Sequence, residues 1–286
     1  MTTGTDPAVQ RRRLRVELRR LRLDRQLTQK EVAEQLGWSL SKMIRIETGQ
    51  VGISRGDLRT LLEEYNVSDP ATVNDLAAMA KDGRRQQWGP YRDILNSDFL
   101  TYLNVEGSAS VIRQGEPQVL PGLLQTEEYA RAVITGVGGA ELSAQTIERQ
   151  VEVRMKRQEI LERPDPPQMH FIIDESAIRR PAGGVKVMRS QLRRLEEIAA
   201  LKHVHLRAIF LRAGVHPGLR GSFVILEFPD PADDDLLFLE SGQSSLATKD
   251  SPEDIARYRQ DFDTLEAIAA SEDDTLRLIT AAQAEL

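Results

Sequence analysis

The chain has no cysteine, which excludes disulfide staples and thiolate chemistry. It has no run of the eighteen or more apolar residues that a membrane span needs. Its opening MTTGTDPAVQRRR lacks the apolar stretch of a secretory signal. These absences predict a cytoplasmic protein with no membrane partner. Strings that mark common enzyme chemistries are missing too: there is no G-x-S-x-G, H-E-x-x-H, G-x-x-x-x-G-K or G-x-G-x-x-G. No internal repeat is visible. The expectation is a protein that is not an enzyme and carries no cofactor.

What is present is ordinary for a globular protein, with 40% hydrophobic and 29% charged residues over 286 positions, a length that suits two domains. The net charge of −6 argues at first against nucleic acid, but it is unevenly spread. Residues 1–65 hold 13 Lys and Arg against 9 Asp and Glu, so they carry +4 and the other 221 residues −10. A basic N-terminal part on an acidic body is expected when only one domain touches phosphate.

Residues 28–49, TQKEVAEQLGWSLSKMIRIETG, are more specific. Thr28-Gln29-Lys30-Glu31 reads as a capping box. Val32, Ala33 and Leu36 then give a short helix its apolar stripe, and Gly37 ends it in a left-handed turn. Trp38 and Ser39 open a second helix with Met43 and Ile46 turned inward, and Gly49 closes it. A small residue at the crossing, a glycine four later and inward apolar residues six and nine beyond that glycine are what a tight helix-turn-helix requires. The alternative for such a hairpin is a protein-binding surface; the basic face and polar outer helix favour DNA.

With Met43 and Ile46 inward, helical geometry sends Ser39, Leu40, Ser41, Ile44 and Arg45 outward, onto the helix that would enter the major groove. Arg45 is the candidate for bidentate contact with a guanine edge. Leu40 and Ile44 suit thymine methyl groups, and Ser39 and Ser41 suit bases or phosphate. Lys42, on the flank, and Gln29, at the start of the first helix, suit phosphates.

The segment also resembles the Cro/repressor-like, or XRE, family of helix-turn-helix regulators at Gln29, Ala33, Gly37, Ser39, Ile46, Glu47 and Gly49. The resemblance implies an all-α five-helix domain, with a preceding helix over about 8–25 carrying Leu14, Leu18 and Leu21. A fourth helix would be capped by Ser54 and a fifth started by Asp69-Pro70. It also favours the phosphate role for Gln29. Since one recognition helix reads few base pairs, a homodimer on double-stranded DNA is expected.

The domain limits read as 1–80 for the helix-turn-helix, 81–90 (KDGRRQQWGP) for a linker and 91–286 for a larger α+β domain with a sheet of about four or more strands. Helices are expected at 125–135, 143–163 and after Gly183-Gly184, then from Ser251-Pro252, with a short last one carrying Leu276 and Ile279. Strands are expected at 170–173, 204–211, 222–228 and 236–239. The segments VLPGLLQTEEYARAVI (119–134), ERQVEVRMKRQEIL (148–161), IIDESAIRRPAGG (172–184) and GVHPGLRGSF (214–223) resemble a domain of unassigned role. That domain follows the helix-turn-helix in many actinobacterial regulators, some antitoxin-like and encoded beside a small partner protein. The resemblance implies a half that senses a small-molecule effector or binds a small protein.

Chemistry in this half is sparse. His203, His205 and His216 could together hold zinc, but structural or surface histidines are commoner, and Asp230–Asp235 lacks the glycine and terminal glutamate of a calcium loop, so no metal is expected. Asp174-Glu175, at a strand end before a helix, reads as capping. The glycine-rich loops bring Arg179, Arg180, His216 and Arg220 forward as a candidate anion-preferring ligand site.

Overall fold

A computed structural model describes residues 7–47, 52–83, 87–138, 142–228, 235–241, 245–249 and 251–286. Gly49 and Asp230–Asp234 lie outside the described residues. The chain divides into two compact units, one of residues 1–90 with 104–108 and one of 91–103 with 109–286.

The described residues of the first unit form the helices α1 (Pro7–Asp24), α2 (Gln29–Gln35), α3 (Leu40–Glu47), α4 (Arg55–Glu64) and α5 (Pro70–Gly83). Their starts follow local chemistry. Thr28 accepts the backbone N–H of Glu31 at 3.2 Å, and the Glu31 carboxylate accepts that of Thr28 at 2.8 Å, so the capping box forms. Ser54 caps α4 through the Asp57 N–H, and Asp69 accepts the Thr72 N–H at the first turn of α5. Gly37, at φ +64°, turns the chain so that Trp38 N–H reaches Ala33 O at 2.8 Å. Leu14 and Leu18 of α1, Val32 and Ala33 of α2, Met43 and Ile46 of α3 and Leu58, Leu61 and Leu62 of α4 form one buried core.

The second unit is built on a six-stranded sheet, with β1 (Val111–Glu116), β2 (Gln168–Asp174), β3 (Val204–Ile209), β4 (Phe223–Glu227), β5 (Leu236–Ser241) and β6 (Ser245–Lys249) in the order β3-β2-β1-β4-β5-β6. β1, β2 and β3 run parallel, while β4 pairs antiparallel with β1 and leads into an antiparallel β5 and β6. The helices are α6 (Ser97–Glu106), α7 (Glu127–Gly138), α8 (Ala144–Arg157), α9 (Glu175–Arg179), α10 (Val185–Ala199), α11 (Pro252–Ile268) and α12 (Glu272–Glu285). On one sheet face Ile172, Ile209, Phe223, Ile225 and Leu237 pack with Ile255, Phe262 and Leu265 of α11. Phe238, pointing the other way, meets Tyr102 of α6 edge to face.

An all-helical unit before an α+β unit is the architecture expected, with particulars that differ. β1, β6 and α6 have no counterpart among the elements expected. VIRQGE does not alternate cleanly because Gln114 and Glu116 are buried with their hydrogen bonds satisfied, Ser222 donating to Glu116 at 2.5 Å. The helix expected over 143–163 stops at Arg157 and tightens into a 3₁₀ turn at Gln158–Glu162, which buries Ile160 and Leu161. The last helix buries Leu278, Ile279 and Ala282 rather than Leu276.

Candidate nucleic-acid interface

The turn at Gly37 sets α3 across α2, and burial of Met43 and Ile46 decides which side of α3 faces out. Ser39, Leu40, Ser41, Ile44 and Arg45 are all exposed, Leu40 by 42% and Ile44 by 37%. Arg45 has no side-chain partner among the described residues. The Ser39 oxygen is already in use, since it accepts the Lys42 N–H at 3.1 Å as the cap of α3. Its hydroxyl proton and a second lone pair remain for a ligand.

Behind α3 lies a polar lock that sequence reading did not find. The Glu47 side chain is 3% exposed and accepts three N–H donors, from Arg22 Nε at 2.7 Å, Arg22 Nη2 at 3.0 Å and Gln29 Nε2 at 2.7 Å. Arg22 Nη1 also donates to Leu27 O at 2.7 Å. Gln29, expected at phosphate, is therefore fixed by one N–H and keeps the other. An open groove of about 500 Å³ runs past it, lined by Arg19, Arg22, Leu23, Gln26, Gln29 and Glu47 among others. Beside the lock, burial pushes the pKa of the Tyr65 hydroxyl well above the usual phenol value, with the Glu47 charge adding to the effect. Glu47 stood out only through family resemblance, and no local spacing pairs it with Arg22, 25 positions away.

Lys42 is also engaged inside the unit. Its ammonium donates to Asp57 Oδ1 at 2.7 Å and lies 3.9 Å from the Trp38 ring centroid. Asp57, held below the usual carboxylate range by that hydrogen bond, was not foreseen.

The four basic residues proposed for the second unit do not share one set of neighbours. Arg179 pairs with Glu175 at 2.7 Å and with Glu285. Arg220 pairs with Asp261 at 2.5 Å. The His216 side chain is 4% exposed, with Nε2 3.5 Å from Asp174 and Nδ1 without a hydrogen-bond partner. Arg180 is exposed in the turn after α9. His205 instead pairs with Glu272 at 2.8 Å and stacks on His170, while His203 Nε2 is buried without a partner. Asp174 and Glu175 accept backbone N–H groups, from Ser176 and Leu211.

Two of the segments that carry the resemblance in this unit, 119–134 and 148–161, meet at one turn. Gln125 donates to Leu120 O and accepts from Arg154, and Tyr129 accepts the Leu120 N–H. Gln158 donates to the carbonyls of Gly122 and Gln125. Gln191 accepts the Thr126 N–H and donates to Leu124 O. Side chains from α7 and α10, from the turn after α8 and from Gln125 itself thus satisfy the backbone of residues 120–126, with Arg154 of α8 holding the Gln125 amide, a scaffolding role.

Among the described residues no helix is long and apolar enough to cross a membrane. The helix-turn-helix domain family matches residues 13–76, and a family described as a domain of unknown function (DUF5753) matches residues 99–281. No curated protein and no solved structure matches the chain.

Proposed function

The chain belongs to the DUF5753 family and carries a helix-turn-helix DNA-binding domain ahead of it, and from this we propose a sequence-specific transcriptional regulator of the XRE type. The observation that carries the reading is the outer face of α3, where Leu40, Ser41, Ile44 and Arg45 stand exposed on a helix locked from behind by Arg22, Glu47 and Gln29. That face offers one planar cation for guanine and two aliphatic groups for thymine methyls. The protein acts as a cytoplasmic homodimer, without catalysis or cofactor, and its α+β half dimerises or senses an effector. Footprinting with the full chain tests this. The expected result is a two-fold related site with half-sites about 34 Å apart. Protection by a monomer on one half-site would remove the dimer, and equal binding to random duplex would remove sequence specificity.

A second reading makes the α+β half an antitoxin-like binder of a small basic protein encoded nearby. It is favoured by the −10 charge outside residues 1–65 and by aliphatic residues bared on one loop: Leu211, Leu219 and, at 94% exposure, Val215. Co-purification with the product of an adjacent short reading frame tests it; failure to bind any such product removes it.

A further inference from the structure

Lys42 sits at the flank of the exposed face of α3, where an ammonium would ordinarily be free to meet a phosphate. Here it is spoken for. Nζ donates to Asp57 Oδ1 at 2.7 Å and rests 3.9 Å from the centre of the Trp38 ring, while its own backbone N–H is held by Ser39. Asp57 is equally constrained, since Ser54 Oγ donates to its Oδ2 at 2.9 Å and accepts its backbone N–H at 3.0 Å. The two side chains stay partly open, Lys42 at 37% and Asp57 at 30% exposure, so a phosphate can reach the ammonium without unfolding α4.

A lysine with no internal partner that neutralises a DNA phosphate releases a condensed counter-ion, and that release drives sequence-independent affinity. A lysine already neutralised by a carboxylate must exchange one anion for another. The carboxylate left behind then faces the polyanion with no partner. The gain from the phosphate is offset, and less of the total affinity comes from charge alone.

We propose that Asp57 is an internal competitor of the DNA backbone for Lys42, which lowers the protein's sequence-independent affinity for duplex and leaves a larger share of the total affinity to the exposed face of α3. This rests on the DNA-binding reading given above. Asp57 touches no base in this scheme; it is a positioning residue that acts through Lys42.

The test is a double-mutant cycle in the full chain, with Asp57→Asn, Lys42→Gln and the pair, read by fluorescence anisotropy on random and operator duplexes across a salt series. Asp57→Asn keeps the side-chain oxygen near Ser54 and removes the charge. It should tighten both duplexes roughly 3- to 10-fold at low salt. The slope of log K against log salt should steepen by about 0.9, so the gain shrinks about 3-fold between roughly 50 and 200 mM. In the Lys42→Gln background the same substitution should do little. Asp57→Glu, which keeps both charge and cap, should stay near wild type and controls for damage to α4. An unchanged or weakened Asp57→Asn protein that melts like wild type overturns the proposal. So does a gain that persists without Lys42, since Asp57 would then act by its own repulsion of phosphate. A wild-type chain that binds no duplex at all overturns the DNA-binding reading and this proposal with it.

Discussion

Replacing Glu47 with alanine removes the acceptor for three N–H groups at once and leaves the Arg22 guanidinium, itself 8% exposed, with the neutral Leu27 carbonyl in place of a carboxylate. Breaking a buried pair from one side costs about 3–5 kcal/mol, because the surviving charge stays out of water uncompensated. Against a typical stability of about 5–15 kcal/mol this is a large fraction. The chain's two tryptophans, Trp38 and Trp88, both fall within the first unit, and Trp38 packs on its core, so tryptophan fluorescence during urea denaturation of the full protein follows that unit. With a denaturant slope of roughly 1–2 kcal/mol/M, the midpoint should fall by at least about 1.5 M. The paired change Arg22→Met with Glu47→Leu removes both charges and should recover most of that loss. It should not recover DNA binding, since Gln29 would still lack the carboxylate that fixes it. A Glu47→Ala protein within about 1 kcal/mol of wild type, or a paired variant no more stable than the single one, would refute the reasoning.

Three further outcomes follow from particular contacts. Arg45→Ala should cost about 1–3 kcal/mol of operator affinity and relax preference at one base pair, measured by binding to a set of single-base operator variants; uniform weakening across the set would show that Arg45 meets phosphate. His170 has its pKa lowered from 6.5, first by burial and then by Arg113 and His205. A base held below its unfolded value binds fewer protons when folded, so the second unit should lose stability as pH falls below about 6.5 and level off below the folded value. His170→Gln should flatten that part of the pH–stability curve. Gly115→Ala would place a Cβ 2.7 Å from the Phe223 ring, which is held edge-on by Tyr258 and Phe262. Overpacking of this kind costs about 1–3 kcal/mol, visible as a lower melting temperature by circular dichroism; an unchanged melting temperature would mean that the ring gives way.

The parts of the molecule that could be read in advance are those whose cause lies within a few residues. The Thr28–Glu31 box, the left-handed Gly37, the caps at Ser54 and Ser251 and the inward pair Met43 and Ile46 all follow from spacing of three or four along one helix. What stayed hidden depends on partners far along the chain. Arg22 meets Glu47 across 25 positions, Lys42 meets Asp57 across 15, and Glu116 meets Ser222 across 106. β1 was invisible for the same reason. A strand with a buried glutamine, glycine and glutamate reads as a polar loop until Ser222 and Phe223 arrive to satisfy and pack it. The candidate interface divides along this line, with the outward residues of α3 legible and the groups that hold Gln29 and Lys42 not.

The central position of β1 has a consequence in time. It is the first strand made, yet its neighbours begin at Gln168 and Phe223, and its pairing with β4 joins Val111 to Glu227. Closing such distant pairs is slow, and synthesis supplies them late. The five helices of the first unit end by Gly83 and need nothing beyond their own short connections for their core. On an emerging chain the α2–turn–α3 hairpin is therefore assembled well over a hundred residues before the sheet can close. Each molecule passes through an interval in which the residues of the helical core are all made while the sheet has yet to form.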